Sequence, residues 1–273
     1  MHTISLTVIM VAYKPKSDLL KSLILQFNSL YSIIIVNNTQ KKLESFFYKF
    51  QNVEIIDTKN NLGNGAGINK CLDHCNTNFA LYLDTDVKIR NESLNKLLQY
   101  SYKIEDFGVL VPNGDNGNTE NDIVKKWDME GSIMLINKKK INDQIKFDEN
   151  YFLYYEETDF FFNCLKKNIN VYFLPKVLFL HNRQSSIDVS NNLEKSKIEL
   201  LRQWHFMWSK FYFYKKNFGF LKSLKVCFPF FLKDLIFLIL NLISFNKEKT
   251  KLRLSRISGL THSFLGFKSS KRP

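Results

Sequence analysis

The sequence predicts an α/β fold, a mostly parallel sheet flanked by helices, followed by a basic, aromatic helical appendage. Two observations carry this. Short apolar runs alternate with amphipathic helical stretches from residue 4 to about residue 180, as in strands joined by crossover helices. The charge is also divided unevenly. Residues 201–273 hold 15 of the 39 Lys and Arg but only Asp234 and Glu248 of the 26 acids, so the entire net charge of +13 lies in the last quarter. The expected domains are residues 1–194 and 195–273. At 273 residues the chain can bury a substantial core.

The elements follow in order. Residues 4–12 form an apolar strand ended by Ala12-Tyr13-Lys14-Pro15, where proline breaks the run. Asp18 is expected to cap a helix to about Ser29, with Leu19, Leu20, Leu23 and Phe27 on one face. A strand at Ile33–Val36 stops at Asn37-Asn38, a helix is expected over 41–50, and Val53–Ile56 gives a third strand. A helix opened by Asn61-Leu62-Gly63 through Asn69 runs to about Cys75, ahead of the strand Phe79–Leu83. Further helix is expected over 92–103 and strands at Phe107–Val111, Gly131–Asn137, Val171–Phe173 and Val177–Leu180. In parallel sheets ligands bind beyond the carboxyl ends of the strands. Tyr13, Asn37, Gly63 and Asp84 all fall at such ends.

Asp84-Thr85-Asp86 is the stretch with the clearest chemistry. Two carboxylates leave a buried strand together and can reach one hard cation such as Mg²⁺ or Mn²⁺, which prefers oxygen ligands. A strand that merely stops at polar residues is the plainer account of the same letters. Gly63-x-Gly65-x-Gly67 has neither dinucleotide-fold nor phosphate-loop spacing; small residues there admit a close backbone approach to a ligand. Within Phe152-Leu153-Tyr154-Tyr155-Glu156-Glu157-Thr158-Asp159, helical geometry points Glu156 and Asp159 together and Glu157 elsewhere. A partly desolvated carboxylate here could act as a general base, or the acids could simply favour a helix N-terminus. Cys71, Cys75, Cys164 and Cys227 have no disulfide or zinc pattern and read as buried thiols. The start lacks a signal-peptide pattern, and a cytoplasmic body is expected.

In order and spacing, Val11-Ala12-Tyr13-Lys14-Pro15, Val36-Asn37-Asn38, Asn61 through Asn69, Asp84-Thr85-Asp86, Gly131-Ser132, Phe147-Asp148-Glu149, Phe152 through Asp159 and His181 resemble the family 2 glycosyltransferases, particularly the rhamnosyltransferase-like branch. The resemblance spans residues 4 to about 190. It implies a GT-A fold and inverting transfer of a sugar from a nucleotide-diphosphate donor, dTDP-L-rhamnose or a UDP-hexose. By the same resemblance Tyr13, Asn37, Asn61, Gly63, Gly67 and Asp84 belong to the nucleotide site. Asp86, Asp84 and His181 hold Mg²⁺ or Mn²⁺, and Glu157 is the general base, with Glu156 and Asp159 supporting it. Trp127 and Asp128 are assigned to the acceptor. The family commonly has Asp-Asn where this chain has Asn37-Asn38, and Glu-Asp where it has Glu156-Glu157.

The tail combines a helix expected over 195–218 with an apolar run from Phe228 to Phe245 that Lys233, Asp234, Asn241 and Ser244 interrupt. Its cations and aromatics suit an anionic membrane surface as an interfacial or hairpin element rather than a crossing. No nucleic-acid-binding motif accompanies the charge, so nucleic acid is not expected as a partner. The expectation is therefore a peripheral enzyme on the inner face of the plasma membrane. It would extend a lipid-linked glycan of a bacterial surface polysaccharide, either alone or as a homo-oligomer. The rivals are a nucleotidyltransferase, a non-catalytic glycan-assembly partner of the same fold and a basic nucleic-acid-binding protein, which salt-sensitive binding to DNA or RNA would favour. Loops 112–126 and 182–195 are expected to govern acceptor choice.

Overall fold

The computed structural model describes residues 5–114, 121–141, 145–182, 187–189 and 191–273. Residues 115–120 of the first expected acceptor loop, and 183–186 and 190 of the second, lie outside the described residues. The chain divides into two compact units. One comprises Met1–Leu62, Ala66–Phe147 and Glu157–Asp188, the other Gly63–Gly65, Asp148–Glu156 and Val189–Pro273.

The chain begins with β1 (Leu6–Ala12), α1 (Ser17–Phe27), β2 (Ser32–Asn37) and β3 (Val53–Asp57). Then come α2 (Asn64–His74), β4 (Phe79–Leu83), the short β5 (Val87–Lys88), α3 (Asn91–Lys103) and β6 (Phe107–Asn113). β7 (Val124–Lys125), β8 (Ile133–Asn137) and the single turn α4 (Lys138–Ile141) lead to α5 (Glu156–Lys166), β9 (Asn170–Leu178) and β10 (Leu180–His181). Three helices complete the chain: α6 (Asn192–Phe218), α7 (Phe220–Ile243) and α8 (Lys247–Phe264).

The first unit is built on an eight-stranded sheet ordered β3-β2-β1-β4-β8-β6-β9-β7. β3, β2, β1 and β4 are mutually parallel, as are β6 and β9. Side chains alternate across it. Leu6, Val8 and Met10 of β1 meet Leu20, Leu23, Ile24 and Phe27 of α1 on one face. On the other face Ile9 shares a core with Ile68 and Cys71 of α2 and with Phe160, Phe161 and Cys164 of α5. Each fully buried aliphatic or aromatic chain contributes about 1.5–3 kcal/mol, so both faces supply the driving force for folding. All four cysteines are free and buried, as expected.

The structure corrects several element readings. β8 runs antiparallel to both neighbours, β4 and β6. All five of its residues are buried, and an apolar run buried on both faces carries no mark of direction. The expected helix over 41–50 is a short 3₁₀ turn at Ser45–Lys49, where Phe46 packs edge-on against Phe47 and Phe50. So short a segment gains little from helix propagation. Asp18 lies in the first turn of α1 without capping it; Lys16 is the cap residue and makes no side-chain cap bond. The two strands expected around Pro175 are one, β9, whose register against β6 shifts between Pro112 and Asn113.

In the second unit Asn191 caps α6 by accepting the Glu194 amide at 2.8 Å, and Asn246 caps α8 through the Lys249 amide at 3.1 Å. Gly219, at φ +87°, separates α6 from α7, a conformation open to glycine without strain. The apolar run of the tail to Ile243 belongs to one continuous helix, α7, with Pro229 inside it, rather than to a hairpin. α6 and α8 approach closely at Gly259, where a Cβ would stand 2.1 Å from the Trp204 carbonyl oxygen. The segment 148–156 is fastened to α6. Tyr212 and Lys216 both donate to Asp148, at 3.1 and 2.7 Å, and the Ser209 hydroxyl donates to the Leu153 carbonyl at 2.9 Å.

Candidate active site

β4 delivers Asp84 at its carboxyl end, where the Asp84 amide donates to the Ser132 carbonyl at 2.9 Å. The chain turns through Thr85 and Asp86 into β5, which pairs antiparallel with β10 so that His181 stands opposite Val87. This two-residue ribbon is what brings a histidine from the far end of the unit beside Asp86. The Asn182 amide donates to the Asp86 carbonyl at 3.0 Å and fixes the approach. His181 Nε2 lies 3.3 Å from Asp86 Oδ1. Ligand atoms of Asp84, Asp86 and His181 all lie within 4.8 Å of one another.

The electrostatics mark this cluster as a candidate site. Burial pushes the Asp84 carboxyl up to about 7; a hydrogen bond from the Tyr82 hydroxyl opposes the shift, while the charges of Glu157 and Asp86 add to it. His181 is pushed up to about 10, first by its bond to Asp86 and then by Glu130, whose Oε1 lies 2.9 Å from Nδ1. Carboxylates crowded out of water beside an imidazole form a donor set that fits Mg²⁺ or Mn²⁺. Glu130 also accepts the Ser132 hydroxyl at 3.0 Å, so it is itself held in place.

Glu157 comes from the first turn of α5 and is packed against Gly131. A Cβ at residue 131 would lie 2.9 Å from Glu157 Cγ, so glycine is what leaves room for this side chain. Glu157 is partly exposed, whereas Glu156 and Asp159 are buried, as the helical spacing predicts. Asp159 accepts the Asn163 amide at 2.9 Å. Tyr154 and Tyr155, just before α5, both adopt left-handed backbone, at φ +67° and +68°. Consecutive non-glycine residues there are costly and mark a tightly determined entry to the helix.

At the other strand ends, Ala12, Asn37 and Asp57 lie side by side in register, with Tyr13 next on the chain. The Asn37 side chain is fully buried; its amide donates to Asp57 Oδ1 at 2.7 Å and to the Lys41 carbonyl at 3.0 Å. Asn37 thus holds an exposed acid that the sequence reading missed. Only the burial of Asn37 beside the end of β3 reveals Asp57, and burial is not written in the sequence. Asn61 is partly buried at the start of the glycine segment. At Gly63, with φ +91°, a Cβ would meet the Phe152 carbonyl at 2.6 Å, and at Gly67 it would meet Val11 at 2.7 Å. The close approach these glycines permit is therefore to the chain's own atoms. Asn69 clamps the Phe147 backbone with two bonds of 2.9 Å. Trp127 packs edge-on against Phe162 at 5.0 Å, while Asp128 is exposed and 4.0 Å from Lys126. A polar cleft of about 920 Å³ opens beside Asn182, lined also by Lys16, Asp18, Glu44 and Asp188.

An α/β sheet with an Asp-x-Asp pair at the carboxyl end of a central strand is the arrangement of a GT-A glycosyltransferase, and comparisons with known proteins agree. Residues 7–167 match the model of Glycosyl transferase family 2, and the chain belongs to that family. It is 23% identical over 207 residues to the low-salt glycan biosynthesis hexosyltransferase Agl10 of Haloferax volcanii, covering 65% of this chain and 67% of that one. Among solved structures, the mannosyltransferase PcManGT of Pyrobaculum calidifontis, in complex with GDP-Man and Mn²⁺, has TM-score 0.59 at 9% identity. That alignment covers 97% of this chain and 88% of the other. GalNAc-T7 with UDP, GalNAc and Mn²⁺ has TM-score 0.56 at 12% identity, covering 78% of this chain and 50% of that one. S. aureus TarS has TM-score 0.52 at 16% identity, and this chain, covered over 73%, spans only 39% of its length.

Proposed function

We propose that the protein is a metal-dependent, inverting hexosyltransferase that moves a sugar from a nucleotide-diphosphate donor to a hydroxyl of a lipid-linked glycan. dTDP-L-rhamnose or a UDP-hexose is the donor, and the work is done at the inner face of a bacterial plasma membrane. The observation that carries this reading is the packing of Glu157 against Gly131, next to Ser132, whose carbonyl accepts the Asp84 amide, so that the carboxylate stands near the Asp84–Asp86–His181 cluster. One carboxylate on the acceptor side and a cation site on the leaving-group side are what a single displacement requires. The Mn²⁺ named with two of the structural neighbours, and the glycan pathway of the Haloferax relative, support the metal and the acceptor class.

In this mechanism Glu157 accepts the proton of the acceptor hydroxyl as its oxygen bonds to the anomeric carbon. The bond from that carbon to the diphosphate oxygen breaks on the opposite face, which inverts the centre. Asp84, Asp86 and His181 would hold Mg²⁺ or Mn²⁺, which as a Lewis acid stabilises the departing diphosphate. Glu130 orients His181, and buried Glu156 and Asp159 fix the first turn of α5. Tyr13 and Asn61 frame the nucleoside, with Asp57, held by buried Asn37, presented at its base end. Trp127 and Asp128 lie on the acceptor side.

The direct test is release of nucleoside diphosphate from a panel of nucleotide sugars, with and without Mn²⁺. Donor-specific, metal-dependent release is expected, falling by about 10³-fold or more in Asp86→Ala. Glu157→Gln should lower transfer by about 10²–10⁴-fold while leaving donor binding within a few-fold of the parent. Neither turnover nor metal-dependent donor binding with any sugar would sink the transferase reading.

A further inference from the structure

α7 is built inside out. Its buried stripe, Ser223, Cys227, Asp234 and Asn241, is small or polar. Its exposed face is apolar: Phe228 is 55% exposed, Ile236 58% and Ile243 69%. A helix on the surface of a water-soluble layer shows the reverse arrangement. The polar stripe is answered from within the same unit, since Asp234 accepts Arg253 Nη1 at 2.7 Å and Arg256 Nε at 2.8 Å from α8. Arg253 lies over the Phe237 ring at 4.8 Å and Lys210 over the Phe230 ring at 3.3 Å, but Phe228, Leu232, Ile236, Ile239 and Ile243 stay exposed between them, and a contiguous apolar surface of this kind marks a binding face.

The choice is between a crossing and an in-plane position. Among the described residues α7 is the one helix long and apolar enough to cross a membrane, and its 24 residues rise about 36 Å. Two observations oppose crossing. Asp234, near the middle of α7, is bonded to α8, whose exposed Lys247, Lys249 and Lys251 would have to enter hydrocarbon with it or let it go unpaired. Exposed Lys222, Lys225 and Lys233 also stand on α7 itself. A helix apolar on its outer face and ringed by lysines matches an interface of acyl chains below and anionic phosphates above.

We propose that α7 lies in the plane of an anionic membrane leaflet, its Phe228–Ile243 outer face among the acyl chains and the lysines of α7 and the start of α8 at the phosphates. This deepens the membrane association proposed above and rests on it, but it does not depend on sugar transfer.

The test uses the full chain and sealed vesicles of phosphatidylcholine alone or mixed with phosphatidylglycerol. Co-sedimentation is expected with the anionic vesicles. It should weaken at least about tenfold in the double variant Ile236→Ser, Ile239→Ser, since two buried aliphatic chains are lost. A variant with Lys247, Lys249 and Lys251 changed to Gln should lose the preference for anionic lipid. Asp86→Ala should bind vesicles like the parent, which separates this inference from the catalytic one. Lys222→Cys and Ser244→Cys should both react with a membrane-impermeant maleimide added outside. Protection of one end by the vesicle would show a crossing and overturn the proposal. So would unchanged binding in the isoleucine variant, or a vesicle-free dimer that this variant dissociates.

Discussion

Asp84 and Asp234 are both aspartates drawn away from bulk water, and the molecule answers them in opposite ways. Asp234 receives two arginines from α8, at 2.7 and 2.8 Å. Asp84 receives a tyrosine hydroxyl and the neighbourhood of two further carboxylates, and its carboxyl rises to about 7. The two histidines repeat the contrast. In the helical unit His205 is wholly buried, with Nε2 donating to the Lys271 carbonyl at 3.0 Å and Nδ1 accepting the Ser269 hydroxyl at 3.1 Å. Burial pushes it down to about 4, and the charges of Arg272 and Lys271 push the same way. His181 sits between Asp86 and Glu130 and is pushed up to about 10. Asp234 is thus more than neutralised by its two arginines, as suits a group that holds structure together. The Asp84 cluster keeps carboxylates without enough cationic partners, which marks it as the candidate cation site.

The largest test of this contrast is Asp234→Ala. It strands two arginines beside a vacated partner, and about 3–5 kcal/mol of stability should be lost from the helical unit. Urea unfolding followed by the fluorescence of Trp204 and Trp208 measures it. A loss below about 1 kcal/mol would mean the Asp234 cluster is not structural and the contrast fails.

His205 gives the next effect. Its pKa is depressed in the folded state, so between pH 6.5 and about 4 the unfolded chain binds the extra proton. Stability from this group is complete above the unfolded value and falls as pH drops through that window, by about 3 kcal/mol in total. His205→Gln should flatten that part of the stability–pH curve. An unchanged slope would show that His205 is protonated in the fold.

The smallest effect sharpens the open cluster. If Glu130 orients His181 toward a cation, Glu130→Gln should weaken Mn²⁺ binding about 10–100-fold by titration calorimetry. The thermal stability of the metal-free protein should change little. Equal loss of stability and affinity would instead make Glu130 a structural member of the cluster.

The sheet and the open cluster were largely legible in the sequence. Strand ends announced themselves as Tyr13, Asn37 and Asp84, because apolar runs stop abruptly where side chains leave the core. Spacing alone separated Glu157 from buried Glu156 and Asp159 on α5. What escaped depends on who faces whom. The antiparallel course of β8 leaves no trace in a run buried on both faces. The β5–β10 ribbon that sets His181 beside Asp86 joins four residues from distant parts of the chain. Glu130 and Asp57 look like ordinary surface acids until their hydrogen bonds are seen. The inverted face of α7 was hidden for a related reason: a mixed run of Phe, Leu, Ile, Asp and Asn does not say which side turns inward.

The tether between Asn37 and Asp57 has a consequence for comparing this chain with its relatives. Where a carboxylate is common in the family, this chain has an amide at residue 37, and an acid stands 20 residues later on the adjacent strand, held by that amide at 2.7 Å. A substitution at either position is therefore felt at the other. Asn37→Asp would set two carboxylates in contact at the ends of β2 and β3 and turn a tether into a repulsion.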